Sequence, residues 1–193
     1  GWESLVCNTT GYGTVAIGVE SLRFQTSGSS NTGIGFRALC ATTTAIRNTA
    51  VGSNSLRNNT TGTNNTAVGV DTQTAGTTAA SNVAIGYNAE VAITTGASNI
   101  AVGVSAGAGV TTGSANVLIG HDSGSNITTG GCNILIGDNV QSSDAARNLE
   151  ITISAKTGAS SGKGQNTAFI NPNGGAAYQG NNSSSWSTTS DRR

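Results

Sequence analysis

The sequence predicts an all-β chain folded as a parallel β-solenoid (β-roll) of 17-residue rungs, and three observations support this. A five-residue phrase, Asn-x-Ala-Val/Ile-Gly, stands in four copies from residues 48–52 to residues 99–103, and four looser copies flank them, so that eight copies follow each other every 17 residues without slip. Its fourth position is always Val or Ile, and its fifth is always Gly. A fixed short period of this kind is typical of solenoids, in which each repeat stacks on the next.

The phrase predicts one short strand in each rung. Side chains alternate along a strand, so positions 2 and 4 of the phrase share one face. This face becomes more apolar toward the C-terminal half, from Thr49 to Ile134, and we therefore expect it to point inward. Position 3 is small or Leu, which suggests that partner chains cover the opposite face of the strand.

Other positions of the rung also recur. Asn at position 1 predicts a column of stacked side chains that bond to each other or cap the preceding turn. A Thr-Thr-Gly signature, as at residues 60–62, predicts a second short strand in each rung. Leu22, Leu39 and Leu56 form a second apolar column, which ends where Gln73 and Glu90 replace leucine.

The period indicates two regions. Residues 1–139 form the predicted solenoid shaft, and residues 140–193 form a non-periodic distal cap or neck. The chain begins at the closing glycine of a phrase, so we expect further repeats before it in the natural protein. A single roll has a thin core and open ends, and it needs capping or self-association for stability.

Composition argues against several partners. Only 9% of the 193 residues are charged and the net charge is zero, so the chain lacks the basic surface that nucleic acids or anionic lipids require. No apolar run approaches the ~20 residues of a membrane span. We therefore expect no nucleic-acid binding and no membrane insertion.

The phrase resembles the heads of trimeric autotransporter adhesins, which are parallel β-rolls of three chains around one axis. It is more similar to phage tail fibres whose shafts carry Asn-Thr-Ala-Val-Gly repeats. This resemblance implies a homotrimer that is part of a virion, contacts other fibre proteins and attaches to a host-cell glycan or protein.

The C-terminal run strengthens the resemblance to tail fibres. Residues 178–193 look like the segment that leads into the intramolecular chaperone domain of tail fibres and endosialidases. In that family the chaperone trimerises the fibre and then cuts itself off at a Ser-Asp junction, with help from a downstream lysine. Ser190 and Asp191 match the junction, and the assisting lysine would lie beyond Arg193. The resemblance thus implies a cleavage junction here and a chaperone domain after it.

No set of residues indicates an enzyme. The one histidine, His121, adjoins Asp122, whereas a Ser-His-Asp site needs three groups in a set geometry. We expect His121 on a surface turn, with a three-histidine metal site on a trimer axis as the alternative. No Cys or second His lies near it with zinc-ligand spacing. We expect no catalytic residues, no cofactor and no metal.

Receptor binding is the function that remains. Position 6 of the rung varies most and includes Tyr87 and His121, so this column is either a recognition surface or a solvent-facing wall. Tyr178 and Trp186 are further candidates, because aromatic faces suit sugar stacking, although both could instead pack the cap.

The sequence therefore predicts a non-catalytic, homotrimeric fibre segment that attaches to a host surface. A bacterial trimeric surface adhesin, located on the bacterial cell surface, is the first alternative. A monomeric ice- or carbohydrate-binding solenoid is the second. Adjacent threonines such as Thr60 and Thr61 point to opposite faces, which argues against the flat threonine array of ice-binding solenoids.

Overall fold

The structure, a computed structural model, describes residues 1–155, 160–172, 176–179 and 187–189. It is all-β, and its short strands are connected by turns. In chain order the strands are β1 Val15–Ile17, β2 Thr32–Ile34, β3 Thr49–Val51, β4 Thr66–Val68, β5 Val83–Ile85, β6 Ile100–Val102, β7 Val117–Ile119, β8 Ile134–Ile136, β9 Val140–Gln141, β10 Glu150–Ser154, β11 Ser160–Ser161, β12 Thr167–Asn171, β13 Ala176–Gln179 and β14 Ser187–Thr189. The described part of the chain holds no helix long and apolar enough to cross a membrane.

The strands confirm a parallel β-solenoid with 17-residue rungs. β1 to β8 pair in sequence order, each in parallel with the next and in a register offset of 17 residues. β10 and β12 continue the same sheet, and β13 and β14 then add to it as antiparallel strands. β9 and β11 form a separate parallel pair.

The 17-residue spacing continues past residue 139, where the recognisable phrase ends. Ile151 of β10 pairs with Ile134 of β8, and Thr167 of β12 pairs with Glu150, in both cases 17 residues apart. Glu150 occupies the place of the repeated asparagine, and its N–H donates to Asn133 Oδ1 at 3.0 Å. Phe169 of β12 is a buried aromatic at position 3 of its rung, where most earlier rungs carry Ala or Leu.

The core lies under position 3 of each strand. Ala50, Ala67 and Ala84 are fully buried there, as are Leu118 and Leu135 in later rungs. The prediction that positions 2 and 4 point inward is wrong, because their side chains lie on the outer face, partly or largely exposed. The interior is narrow, so a large side chain from one position of the rung is faced by a small one, and the β-branched residues at positions 2 and 4 point outward.

Two apolar clusters fill the roll, and each is built from complementary columns. In the N-terminal cluster, Leu22, Leu39 and Leu56 project from position 9 against small residues at position 3. In the C-terminal cluster the order reverses, since Leu118 occupies position 3 while Gly107 and Gly124 occupy position 9. A Cβ added at Gly124 would meet Leu118 Cδ2 at 2.5 Å, so each large residue needs a small one opposite it.

The predicted asparagine column is confirmed, and it is fully buried. Asn65 Nδ2 donates to the carbonyl of Ala79 at 2.8 Å, and its Oδ1 accepts the N–H of Asn82 at 3.0 Å. The same pair of bonds recurs at Asn99, which bonds Gly113 and Asn116. Each asparagine thus caps the turn of its own rung and ties that rung to the next.

The Thr-Thr-Gly segments are not strands, which corrects the prediction of two strands in each rung. They lie in bends, and their backbone still bonds the next rung, as in Thr60 N to Thr77 O at 2.9 Å. The hydroxyl of Thr60 donates to the same carbonyl at 2.9 Å. The side chain therefore competes with the sheet for a backbone acceptor, and this favours a turn over a strand.

Candidate interaction surface

The outward side chains of the strands form one continuous apolar strip, here called the aliphatic face. It consists of positions 2 and 4 of β1 to β8, β10 and β12. At position 2 it contains Val15, Thr32, Thr49, Thr66, Val83, Ile100, Val117, Ile134, Ile151 and Ala168, and at position 4 it contains Ile17, Ile34, Val51, Val68, Ile85, Val102, Ile119, Ile136, Ile153 and Ile170. Sixteen of these twenty residues are Val or Ile.

The aliphatic face is open in the single chain. Ile17 is 56% exposed, Ile100 is 41% exposed and Ile170 is 40% exposed, at the start, middle and end of the strip. Neighbours in a ladder stand about 4.8 Å apart and cover each other's flanks, so exposure at this level means that the outer surface is uncovered. None of the chain's Lys, Arg, Asp or Glu residues lies at these positions.

The strip is large for an exposed apolar surface. Ten parallel strands span about 43 Å along the roll, and two side-chain columns are about 10 Å wide. An uncharged apolar strip of about 400 Å² is comparable to the largest patch on a typical monomer, which is often a functional surface. The strip is straight and repeats with every rung, so its natural complement is another surface with the same repeat.

Of the receptor candidates, Tyr87 and His121 lie in the position-6 column and are exposed. Tyr87 is 52% exposed, and the His121 side chain is 57% exposed. His121 lies between two carboxylates, with Nε2 3.3 Å from Asp122 Oδ2 and Nδ1 3.1 Å from Asp138 Oδ1. The two residues stand two rungs apart in the column, so they do not form one compact site.

Among the described residues, no group of three or more His, Cys, Asp or Glu side chains is placed to hold a metal ion. The three-histidine alternative needs one His121 from each of three chains, so it stays a hypothesis about an assembly.

The remaining candidates lie near the C-terminus. Tyr178 is in β13, where its backbone pairs with Phe169 of β12. Trp186, Ser190 and Asp191 lie outside the described residues. The proposed cleavage junction therefore stays a prediction from the resemblance.

A second surface, a groove lined by arginines, was not predicted from the sequence. Arg23, Arg37 and Arg57 line an open groove of about 300 Å³ around Glu20, on the wall of the roll that is built from turns. Arg37 Nε donates to Glu20 Oε2 at 2.6 Å, and Arg23 Nη1 bonds the other carboxylate oxygen at 3.2 Å. The repeat register could have indicated this groove, because Arg23 and Arg57 both occupy position 10 of their rungs, two rungs apart.

The chain matches no protein-family model, no curated protein and no solved structure at a significant level.

Proposed function

We propose that this chain is the shaft and distal end of a homotrimeric attachment fibre of the phage tail-fibre type, in which three copies pack along their aliphatic faces. The observation that supports the proposal is the open, uncharged strip of Val and Ile along the whole roll. Burial of such a strip is favourable by roughly 25 cal/mol per Å² of apolar surface.

The occupant best suited to the strip is a second and third copy of the same chain. Another roll has the same rung spacing, so its side-chain columns match those of the first copy over the full length. Around a three-fold axis, the same residue of each chain meets its equivalents, which keeps the rungs in register. In this arrangement β1 to β8 are covered on both faces, as is usual for parallel strands.

In the proposed fibre, the rod supplies reach and stiffness, and three identical distal ends attach to a host-cell glycan or protein. Three equivalent sites on one particle raise avidity without new contacts at each site. The low charge of the chain and the lack of charged residues on the aliphatic face fit a structural role in a virion.

Disulfide trapping tests the arrangement. In a variant without Cys7, Cys40 and Cys132, we would replace Val68, at position 4 in the middle of the strip, by cysteine. Oxidation should link chains in pairs, because the Val68 positions of neighbouring copies meet at the axis. The matched control is Thr61→Cys, an exposed position in the turn that precedes this strand, and it should stay unlinked. Equal linking of the two variants would contradict the proposal.

A further inference from the structure

The arginine groove has more positive charge than its own carboxylates neutralise. Arg23 bonds both Glu3, at 2.6 Å, and Glu20, and Arg37 bonds Glu20. Arg57 makes no ion pair with a carboxylate in the part of the chain that the structure describes. Three guanidinium groups thus face two carboxylates, and one positive charge is left over.

Arg57 nevertheless lies close to this network. It is one of the groups that lower the pKa of Glu20, although the hydrogen bond from Arg37 is the main cause. Arg57 lines the groove and is exposed, so its guanidinium donors are open to a ligand from solvent. Glu20 itself is 9% exposed, and bonds to two arginines already occupy both of its oxygens.

An apolar ring lies beside the charge. Phe24 lines the groove with 45% of its surface exposed, and the Arg23 guanidinium carbon lies 5.1 Å from its ring centroid. Arg23 covers one side of the ring, and the groove therefore offers a cation and the part of the Phe24 ring that stays exposed within one shallow space. A volume of about 300 Å³ is at the lower end for small-molecule sites, which suits one or two sugar rings.

We propose that this groove binds an acidic saccharide, with a sugar carboxylate on Arg57 and the apolar face of the sugar ring on Phe24. The planar fork of arginine donates two parallel hydrogen bonds to a carboxylate, which favours a uronate-type group. The site belongs to a single chain and lies away from the aliphatic face. It therefore stands whether or not the chain forms a fibre.

Titration calorimetry with short defined oligosaccharides tests the proposal. An oligomer of glucuronic acid should bind the full chain, while the neutral glucose oligomer of equal length and sodium acetate should not bind measurably. Arg57→Gln should weaken uronate binding at least tenfold, because the charge-assisted bonds are lost. Arg57→Lys should weaken it less, because the charge remains without the fork.

The matched control is Arg47→Gln, which removes the same charge from an exposed position that does not line the groove. It should bind as the parent does. Arg57→Gln should also keep the parent's circular dichroism and oligomeric mass, because Arg57 makes no side-chain ion pair in the described structure.

Three results would overturn the proposal: no binding of the uronate oligomer, equal loss in the Arg47 and Arg57 variants, or tighter binding of a sulfated glucose oligomer than of the uronate. A monomeric chain that binds uronate would refute the proposed fibre alone, and a trimer that fails to bind it would refute the groove alone.

Discussion

Gln73 Nε2 donates a hydrogen bond of 2.6 Å to Glu90 Oε2, and both side chains are fully buried in neighbouring rungs. They lie where the leucine column of the N-terminal cluster ends and the C-terminal apolar cluster begins. The other side-chain oxygen of each residue, Oε1, lacks a partner. A polar layer therefore separates the two apolar clusters of the roll.

This polar layer should make stability depend on pH. Burial raises the pKa of Glu90 from 4.5 to about 7, although the bond from Gln73 partly opposes the shift. The folded state then binds more protons than the unfolded state between these values. Stability should consequently fall as pH rises from about 4.5 to about 7, by up to about 3 kcal/mol, and it should change little from this cause at higher pH.

Urea unfolding of the parent and of Glu90→Gln, at several pH values from 4.5 to 8, checks this. The variant should lack the decline and should be more stable than the parent at pH 8. Arg37 is the main cause of the lowered pKa of Glu20, and this stabilises the folded state of both proteins once Glu20 is ionised. Only the difference in stability between the parent and the variant therefore reports on Glu90. Identical pH profiles of the two proteins would mean that Glu90 does not cause the pH dependence of stability.

Removal of one buried asparagine should break the link between rungs. In Asn65→Ala the carbonyl of Ala79 and the N–H of Asn82 both lose their bond to the side chain. We expect a loss of about 3 kcal/mol in the free energy of unfolding, since buried groups left without partners cost about 1–3 kcal/mol each. Asn58→Ala, at an exposed site, should change it by less than about 0.5 kcal/mol. Similar values for the two variants would argue against the column as a stabilising feature.

The glycine that closes each strand should be irreplaceable for a steric reason. Gly86 has a φ of 137°, and an added Cβ would overlap the carbonyl oxygen of Gly103 in the next rung. Gly86→Ala should therefore cost about 3 kcal/mol or more or prevent folding, as judged by thermal unfolding and circular dichroism. Gly164 also has a positive φ, of 114°, but open space around it. Gly164→Ala should cost only about 1 kcal/mol, and a cost equal to that at Gly86 would contradict the steric account.

Leu118 and Gly124 should be energetically coupled, because the large side chain fills the space that the glycine leaves. Leu118→Ala alone should cost about 2–5 kcal/mol through the cavity it creates. Gly124→Ala alone should be destabilising through overlap with Leu118 and through its φ of 64°. In the double variant the overlap disappears, so the total cost should be smaller than the sum of the single costs. Additive costs in this double-mutant cycle would show that the two residues do not share the space.

The register was predictable from sequence because one constraint repeats at every rung. The buried asparagine and the glycine next to a neighbouring carbonyl must both recur every 17 residues, and this leaves a visible period. Beyond residue 139 the same 17-residue backbone spacing persists, but different residue types occupy the repeated positions. Glu150 stands in place of the asparagine, but its carboxylate accepts hydrogen bonds from Ser142 Oγ–H and Gly164 N–H, both at 2.8 Å, where asparagine donates to a turn carbonyl. A pattern based on asparagine could not follow it.

Which face of each strand points into the core was not predictable in the same way. Val51 is larger and more apolar than Ala50, and the general tendency to bury such residues favours Val51 inside. Ala50 is the buried one, because Leu39 and Leu56 from the opposite wall already fill the narrow interior. Likewise, the groove depends on arginines from three different rungs that meet only after the rungs stack.

The solution mass of the intact chain tests the central proposal, self-association through the aliphatic face, most directly. One chain has a mass of 19.0 kDa, so sedimentation equilibrium should give three times this value, about 57 kDa, for the parent. The variant Ile85→Lys places a charge in the middle of the strip, where Ile85 is 39% exposed, and should shift the mass to that of one chain. The control Arg47→Glu changes charge elsewhere and should remain trimeric. A parent that sediments as a stable 19.0 kDa monomer would contradict the fibre and favour a solitary glycan-binding solenoid.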